Sequence, residues 1–354
     1  MNRNSDKRKS LLVFLGRRWA LIFLVIESLV FSFTTEAFFS LKGIQIVLFY
    51  GTTIFLLGTA ETFVIITGGI DLSVGFVMGF ASIVSAKLVV MLTNMGVPPA
   101  ISILLGMLIT WMIGFVPGYV NGSLVARLNV PPFIATFSML GITHGTSELL
   151  IRGVPAKNLP YLANAIGNGY FIYLLPGKAI SFFNKPVIQR GELLLEIIPN
   201  MVVIAFVFIL IFAFLLKRSK FGQHIYAIGG STDAALRAGI NVKAHLIKVY
   251  MISSFFATLS GTVYMLQYVT GKADAGAPFL LDAIVAVVIG GASLYGGIGT
   301  IGGTILGCLI LSVLETGLRM MGVPTFDKYI AVGVILILAV LIDQFFPELI
   351  HREE

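Results

Sequence analysis

Apolar stretches, each about as long as one membrane crossing, recur along the chain with short polar breaks between them. A helix needs ~20 mostly apolar residues to cross the hydrocarbon layer. The pattern predicts spans near residues 19–35, 44–67, 71–92, 98–121, 131–151, 200–216, 246–270, 280–295, 300–318 and 328–346. One longer polar excursion, residues 152–199, is too broken by Pro, Gly and Asn to span. It reads as an outer segment that lies at the surface or dips partway in, and its second half as a hairpin or a short amphipathic piece. The expected fold is an all-α integral membrane protein with about ten transmembrane helices and broken or re-entrant segments. Residues 19–346 form its single domain, between a basic N-terminal segment, 1–18, and a short tail, 347–354.

Composition agrees with that pattern. Hydrophobic residues make up 57% of the chain, charged residues 12%, and mean hydropathy is +0.96, which leaves no room for a soluble catalytic domain. The basic start and the apolar run after it resemble a signal sequence, but no small-x-small cleavage pattern follows, so the run reads as an uncleaved first span. Glycine, at 38 residues, sits largely inside the apolar runs. Small residues let helices approach closely in lipid, so Gly75/Gly79, Gly114/Gly118/Gly122 and Gly303/Gly307 read as packing seams.

The net charge of +7 resides mainly in MNRNSDKRKS, Arg17, Arg18 and the block Lys217, Arg218, Lys220. Both clusters abut apolar spans, as the positive-inside rule requires of cytoplasmic loops. The partner is therefore the lipid bilayer and not nucleic acid, with both termini and the loop 217–245 cytoplasmic. The single cysteine, Cys308, permits no disulfide within the chain, and His144, His224, His245 and His351 show no metal-ligand spacing. No metal or cofactor is assigned.

GIGTIG, Gly297 to Gly302, matches the dinucleotide pattern letter for letter, but the fingerprint needs a preceding strand and an acid ~20 residues on. Here apolar segments flank it, so it reads as a tight re-entrant turn between two half-length segments. No GxxxxGK[ST], GxSxG or HExxH occurs, so the chain carries no ATP-hydrolysing loop of that kind and no recognisable catalytic set.

Ionisable groups inside apolar spans are the candidate chemistry. Glu61 lies in the second span, where about 13 Leu, Ile, Phe and Val at ~0.3–0.6 kcal/mol each outweigh ~2.5–3.5 kcal/mol for one central acid. It is either functional or a structural carboxylate bonded to Thr or Tyr. In TGGIDLSVG, Gly68 and Gly69 end that span and Asp71 stands where an N-cap belongs, able to accept from the amides of Ser73 and Val74. On the basic loop, STDAALRAG is a complete short helix: Ser231 caps it, Asp233 complements its dipole and Gly239 stops it. So short a helix is marginal alone and docks either on its own bundle or on a partner.

GGIDLSVG, NVPPFIATFSMLGI (129–142), GQHIYAIGGSTDAALRAGINV (222–242) and LLDAIVAVVIGGASLYGGIGTIGGTILG (280–307), in that order, closely resemble the permease subunits of bacterial sugar-importing ABC transporters of the ribose, xylose, arabinose and galactoside group. The resemblance covers most of residues 44–343. It implies a type II importer-like permease working as a pair in the bacterial inner membrane. A cytoplasmic ATP-binding subunit would hold the ATP and Mg, and an extracytoplasmic binding protein would deliver a monosaccharide or similar small polar solute. The coupling residues would be Gly230, Ser231, Asp233, Ala235, Arg237 and Gly239. The pathway or gate would involve Glu61, Gly68, Gly69, Asp71, Ser73, Gly75, Asp282, Gly290 and Gly291. The chain departs from the family at Ser231, where Asn is common, and at Glu315–Thr316, which precede a Gly-Leu pair where the family tends to carry Asn-Gly-Leu. Its outer loop after Lys178 is also longer. Nucleosides are the alternative cargo. A secondary transporter using Glu61, Asp71 or Asp282 for an ion, and a nonconducting scaffold, are the rival classes.

Overall fold

In hydrocarbon a backbone must satisfy its own hydrogen bonds, so each apolar stretch closes into a helix. A computed structural model describes residues 3–189, 192–324, 326, 327, 330, 331, 333, 334 and 337. Its helices are α1 (Arg3–Thr34), α2 (Leu41–Ile66), α3 (Val74–Asn94), α4 (Pro99–Leu128), α5 (Pro132–Ile151), α6 (Tyr161–Gly167), α7 (Asn200–Arg218), α8 (Lys220–Gly230), α9 (Thr232–Arg237), α10 (Val242–Tyr268), α11 (Ala277–Ile289) and α12 (Ile301–Met320). Their starts carry local signals. Ser40, Asn241 and Thr300 each accept from the backbone N–H three residues on, and Pro98, Pro131 and Pro199 precede α4, α5 and α7.

Among the described residues there are twelve helices where about ten were expected, and six of them (α2, α3, α4, α7, α10 and α12) are long and apolar enough to cross a membrane. Helices α6, α8 and α9 lie in polar segments that the span pattern did not count. The tenth expected span is described only at Ile330, Ala331, Gly333, Val334 and Ile337, all helical, and the tail 347–354 lies outside the described residues.

The all-α expectation needs one correction. Within the excursion 152–199, β1 (Ile172–Leu175) pairs antiparallel with β2 (Ala179–Phe182) and with β3 (Leu195–Glu196), giving the order β2-β1-β3. The second half, where a hairpin or a short amphipathic piece was expected, forms neither by itself: β2 and β3 both pair with β1 of the first half and not with each other.

The core lies where α2 and α10 cross the bundle, each 72% buried in its most apolar window, while α4 is only 28% buried. The glycine seams hold it together. Gly114, Gly118 and Gly122 bring α4 onto α10, where a methyl at Gly118 would stand 2.3 Å from the Tyr250 carbonyl oxygen. Gly303 and Gly307 bring α12 onto Gly290 and Ala286, and Gly75 and Gly79 receive Gly276 and Ala273.

The re-entrant reading of residues 297–302 also needs correction. Of the flanking helices only α11 is short, at 13 residues or roughly 20 Å against a core of roughly 30 Å, whereas α12 has 20 residues. The break inside the bundle lies instead at residues 269–276, between α10 and α11.

Candidate functional site

Three glycine motifs far apart in sequence meet at one end of the bundle. After α2 the chain turns at Gly68, whose φ of +78° suits glycine. The turn rests on the loop between α11 and α12, where the Gly297 N–H donates to the Ile66 carbonyl over 2.8 Å. Helix α8 closes the third side: a methyl at Gly229 would lie 1.8 Å from the Ile66 oxygen and 2.5 Å from the Gly297 nitrogen. The Tyr226 hydroxyl donates to the Gly299 carbonyl over 2.7 Å. Backbone thus touches backbone with no side chain between, and a shift of α8 reaches the end of α2 directly.

Two residues past Gly69 the same turn enters a buried polar node. Asp71 Oδ1 accepts from the Ser73 N–H at 3.0 Å and the Ser73 hydroxyl at 2.5 Å, and Oδ2 accepts from the Ser253 hydroxyl of α10 at 2.8 Å. Asn121 of α4 donates to the Ser73 oxygen over 3.0 Å. Thr136 of α5 donates to the Ile70 carbonyl over 3.3 Å, and the Asp71 N–H to Glu61 Oε2 of α2 over 3.4 Å. Glu61, Asp71, Asn121, Thr136 and Ser253 are all fully buried, and the Tyr250 hydroxyl lies beside Gly69. Five helices are therefore tied to one turn.

This corrects the expected cap. Ser73 occupies the N-cap position of α3, and Asp71 bonds Ser73 and Ser253 and not the Val74 amide. The carboxylate holds α3 to α10 more than it ends a helix.

On the polar side of the junction, Ser231 caps α9 by accepting from the Ala234 N–H over 3.3 Å, and Gly239 turns at φ +81°. Of the two docking modes left open by the sequence, the contact with the chain's own bundle is seen. Ala235 is buried against Ile228, Val242, Ile240 and Leu246 of its own chain, while Gly230, Asp233, Leu236 and Arg237 are exposed. One residue anchors the helix and the rest of its surface is open.

Of the other expected site residues, Gly75 serves the α3 seam, and Gly290 and Gly291 end α11, with Gly291 at φ +87°. Asp282 is buried on α11. Glu315 is buried on α12 and pairs with Arg319 at 3.0 Å, whose guanidinium lies over the Tyr50 ring. Missed by the sequence reading were Tyr226, Gly229, Asn121, Thr136 and Ser253. A polar side chain inside an apolar span, as Asn121 and Ser253 are, was a signal that could have found two of them. His224 and His245, separate in sequence, meet across α8 and α10 with ring nitrogens 3.0 Å apart. Among the described residues no group of three or more metal-ligating side chains forms.

The family profile described as branched-chain amino acid transport system / permease component matches residues 43–342. A fructose import permease protein of Rhizobium meliloti is 33% identical over 92% of this chain and 84% of its own length. The ribose import permease protein of Bacillus subtilis is 34% identical over 82% of this chain and 80% of its own. The galactose/methyl galactoside import permease protein of Escherichia coli is 31% identical over 95% and 96%. No solved structure matches the chain. With the family matched over residues 43–342 and the relatives alike over most of both lengths, this multi-pass membrane chain belongs to the family of transport-system permease components.

Proposed function

We propose that the chain is the membrane subunit of an ATP-driven importer that carries a monosaccharide, or a related small polar solute, inward by alternating access. The observation that carries this reading is the junction of α8 with α2 and the 296–299 loop. A short helix with an exposed outer surface is mechanically continuous there with the turn that ties five helices together. Binding and hydrolysis of ATP occur in a separate cytoplasmic subunit seated on Gly230, Asp233, Leu236 and Arg237. Its motion passes through α8 to Gly68 and Gly69 and on to Asp71. In this reading both termini, α8 and α9 are cytoplasmic and the β2-β1-β3 sheet faces outward, toward the soluble protein that delivers substrate.

A second permease copy, or a similar chain, completes the pathway against α5. That helix has 20 residues yet falls outside the six that are long and apolar enough to cross a membrane. It exposes Ser138, Gly141, Gly145 and Thr146, with nothing within 4 Å of a methyl placed on either glycine. These small residues share the exposed side with Ile134, Ile142 and Leu149, and an apolar face notched in this way suits a close-packed partner helix. Similarity to import permeases for fructose, ribose and galactose supports a sugar as cargo.

The test is the energy source. Uptake of labelled ribose, fructose, galactose and xylose by cells carrying the complete system is expected to stop on ATP depletion and to survive an ionophore. Uptake that survives ATP depletion and collapses with the ionophore would overturn the reading in favour of an ion-coupled carrier built on Glu61 and Asp71. Uptake of nucleosides alone would replace the cargo and leave the class intact.

A further inference from the structure

The break between α10 and α11 places two charges beside the middle of α3. From Val269, at φ +52°, the chain leaves α10, pairs Gly271 with Ala156 as an isolated antiparallel bridge, and runs along α3. Its register there is fixed by contact. The Lys272 N–H donates to Ser82 Oγ over 3.0 Å, Ala273 fills the notch at Gly79, and Gly276 lies against Gly75. Helix α3 runs Val74–Asn94. At 1.5 Å per residue the contacts at Gly79 and Ser82 lie roughly 8 to 12 Å from one end of it and roughly 18 to 22 Å from the other. The segment thus sits near the middle of a membrane-crossing helix.

Past the bridge the segment turns, the Ala275 N–H donating to the Lys272 carbonyl over 3.2 Å, and burial alternates from residue to residue. Gly271, Ala273 and Ala275 are buried, while Lys272 and Asp274 are exposed on one side and pair at 3.1 Å. Side-chain exposures of 49% and 52% at this depth are incompatible with hydrocarbon, which tolerates neither free charge nor open backbone unless they line a wet cavity. A cleft of about 650 Å³ opens beside Lys87, Met91, Asn94, Ala156 and Lys157, and it meets the bridge at Ala156.

We infer that residues 271–276 form the mid-membrane wall of the translocation pathway and that Lys272 and Asp274 hydrogen-bond the hydroxyls of a passing polyol. An ammonium and a carboxylate side by side offer donors and acceptors at the spacing of neighbouring hydroxyl groups, and both can exchange partners with water as the solute moves on. The sugar contact rests on the importer reading. The depth and wetness of the wall do not.

The test has two arms, in a Cys308→Ala background, since Cys308 is the single, buried cysteine. In the first, Lys272→Cys and Asp274→Cys chains in native membranes are treated with a membrane-impermeant, cationic methanethiosulfonate. Both are expected to react, and Ala273→Cys, whose residue is 1% exposed, is not. Failure of both to react, or equal reaction at Ala273→Cys, overturns the wall. In the second, Asp274→Asn and Lys272→Gln, which keep shape and need no thiol, are assayed for uptake of ribose, fructose, galactose and xylose. KM for the transported sugar is expected to rise about tenfold, the scale of a lost hydrogen bond to a charged group. Unaltered KM in both variants overturns the sugar contact. Absence of all sugar uptake by the unsubstituted system defeats the importer reading instead, and the labelling arm still decides the wall.

Discussion

Gly229→Ala, compared with Gly230→Ala, isolates the junction that the account depends on. Both glycines lie at the end of α8, and each gains roughly 1 kcal/mol of helix propensity on becoming alanine. Their surroundings differ. A methyl at Gly229 meets the Ile66 oxygen at 1.8 Å and the Gly297 nitrogen at 2.5 Å, whereas at Gly230 nothing lies within 4 Å. Carbon against oxygen settles no closer than roughly 3.3 Å, so α8 must retreat by roughly 1.5 Å or the backbone bond from Gly297 to Ile66 must break. Overpacking of this kind costs about 1 to 3 kcal/mol, and loss of that hydrogen bond about 1 kcal/mol more. Set against the propensity gain, the net is about 1 to 3 kcal/mol against the docked junction, or about 5- to 150-fold in its population. Gly230→Ala carries the gain alone. The assay is initial-rate sugar uptake at matched membrane levels, with ATP hydrolysis of the purified complex measured alongside. Gly229→Ala is expected to lose most uptake while hydrolysis continues, and Gly230→Ala to retain it. Equal uptake by the two variants would refute transmission through this contact.

Asp71→Asn replaces one of two accepting oxygens with a donor facing hydroxyl donors, so it should cost about 1 to 3 kcal/mol and lower the thermal midpoint of the purified chain, with Ser253→Ala milder; an unchanged midpoint would count against the node. Asp233→Lys combined with Arg237→Asp should abolish uptake while the chain still inserts, and normal uptake would end the assignment of α9 as the coupling element. In the β-sheet segment, the Lys178 ammonium and the Gln189 N–H hold the Glu192 carboxyl below the usual carboxylate range, and Glu196 holds the Lys185 ammonium above its usual value. The Glu192 contribution is present above pH ~4.3 and lost as pH falls through its lowered value; that of Lys185 is present below pH ~10.4 and lost as pH rises through its raised value. Protection of the strand amides in residues 172–175, 179–182 and 195–196, each exchange rate taken relative to the intrinsic rate at the same pH, should therefore hold between about pH 5 and 10 and fall beyond both limits; protection unchanged beyond both limits would contradict both pairings.

Much of the helical layout was legible because hydrocarbon imposes a simple rule on sequence. The spans 131–151 and 200–216 correspond to Pro132–Ile151 and Asn200–Arg218, and each begins just after a proline that marks its start. Ser231, Asp233 and Gly239 were legible for another reason: a capped helix on a polar loop is specified by its own residues. What was hidden depended on distant contact. Asp71 looked like a local cap, but Ser253, 182 residues on, takes half of its carboxylate. Gly229 stood in the stretch GQHIYAIGGSTDAALRAGINV with no role of its own, and only the fold brings Ile66 and Gly297 onto it. The segment KADAGAP falls between the expected spans 246–270 and 280–295. Its alternation of small with charged residues was visible, but its depth is set only by Ser82, Gly79 and Gly75.

Extraction of the tagged chain from its native membrane in mild detergent, with its companions identified by mass spectrometry, tests the central claim most directly. A soluble chain bearing a GxxxxGK[ST] loop should accompany it, and should be lost when residues 231–239 are deleted from a chain that still inserts. Recovery of the chain alone, with transport persisting in liposomes under an ion gradient, would contradict the account.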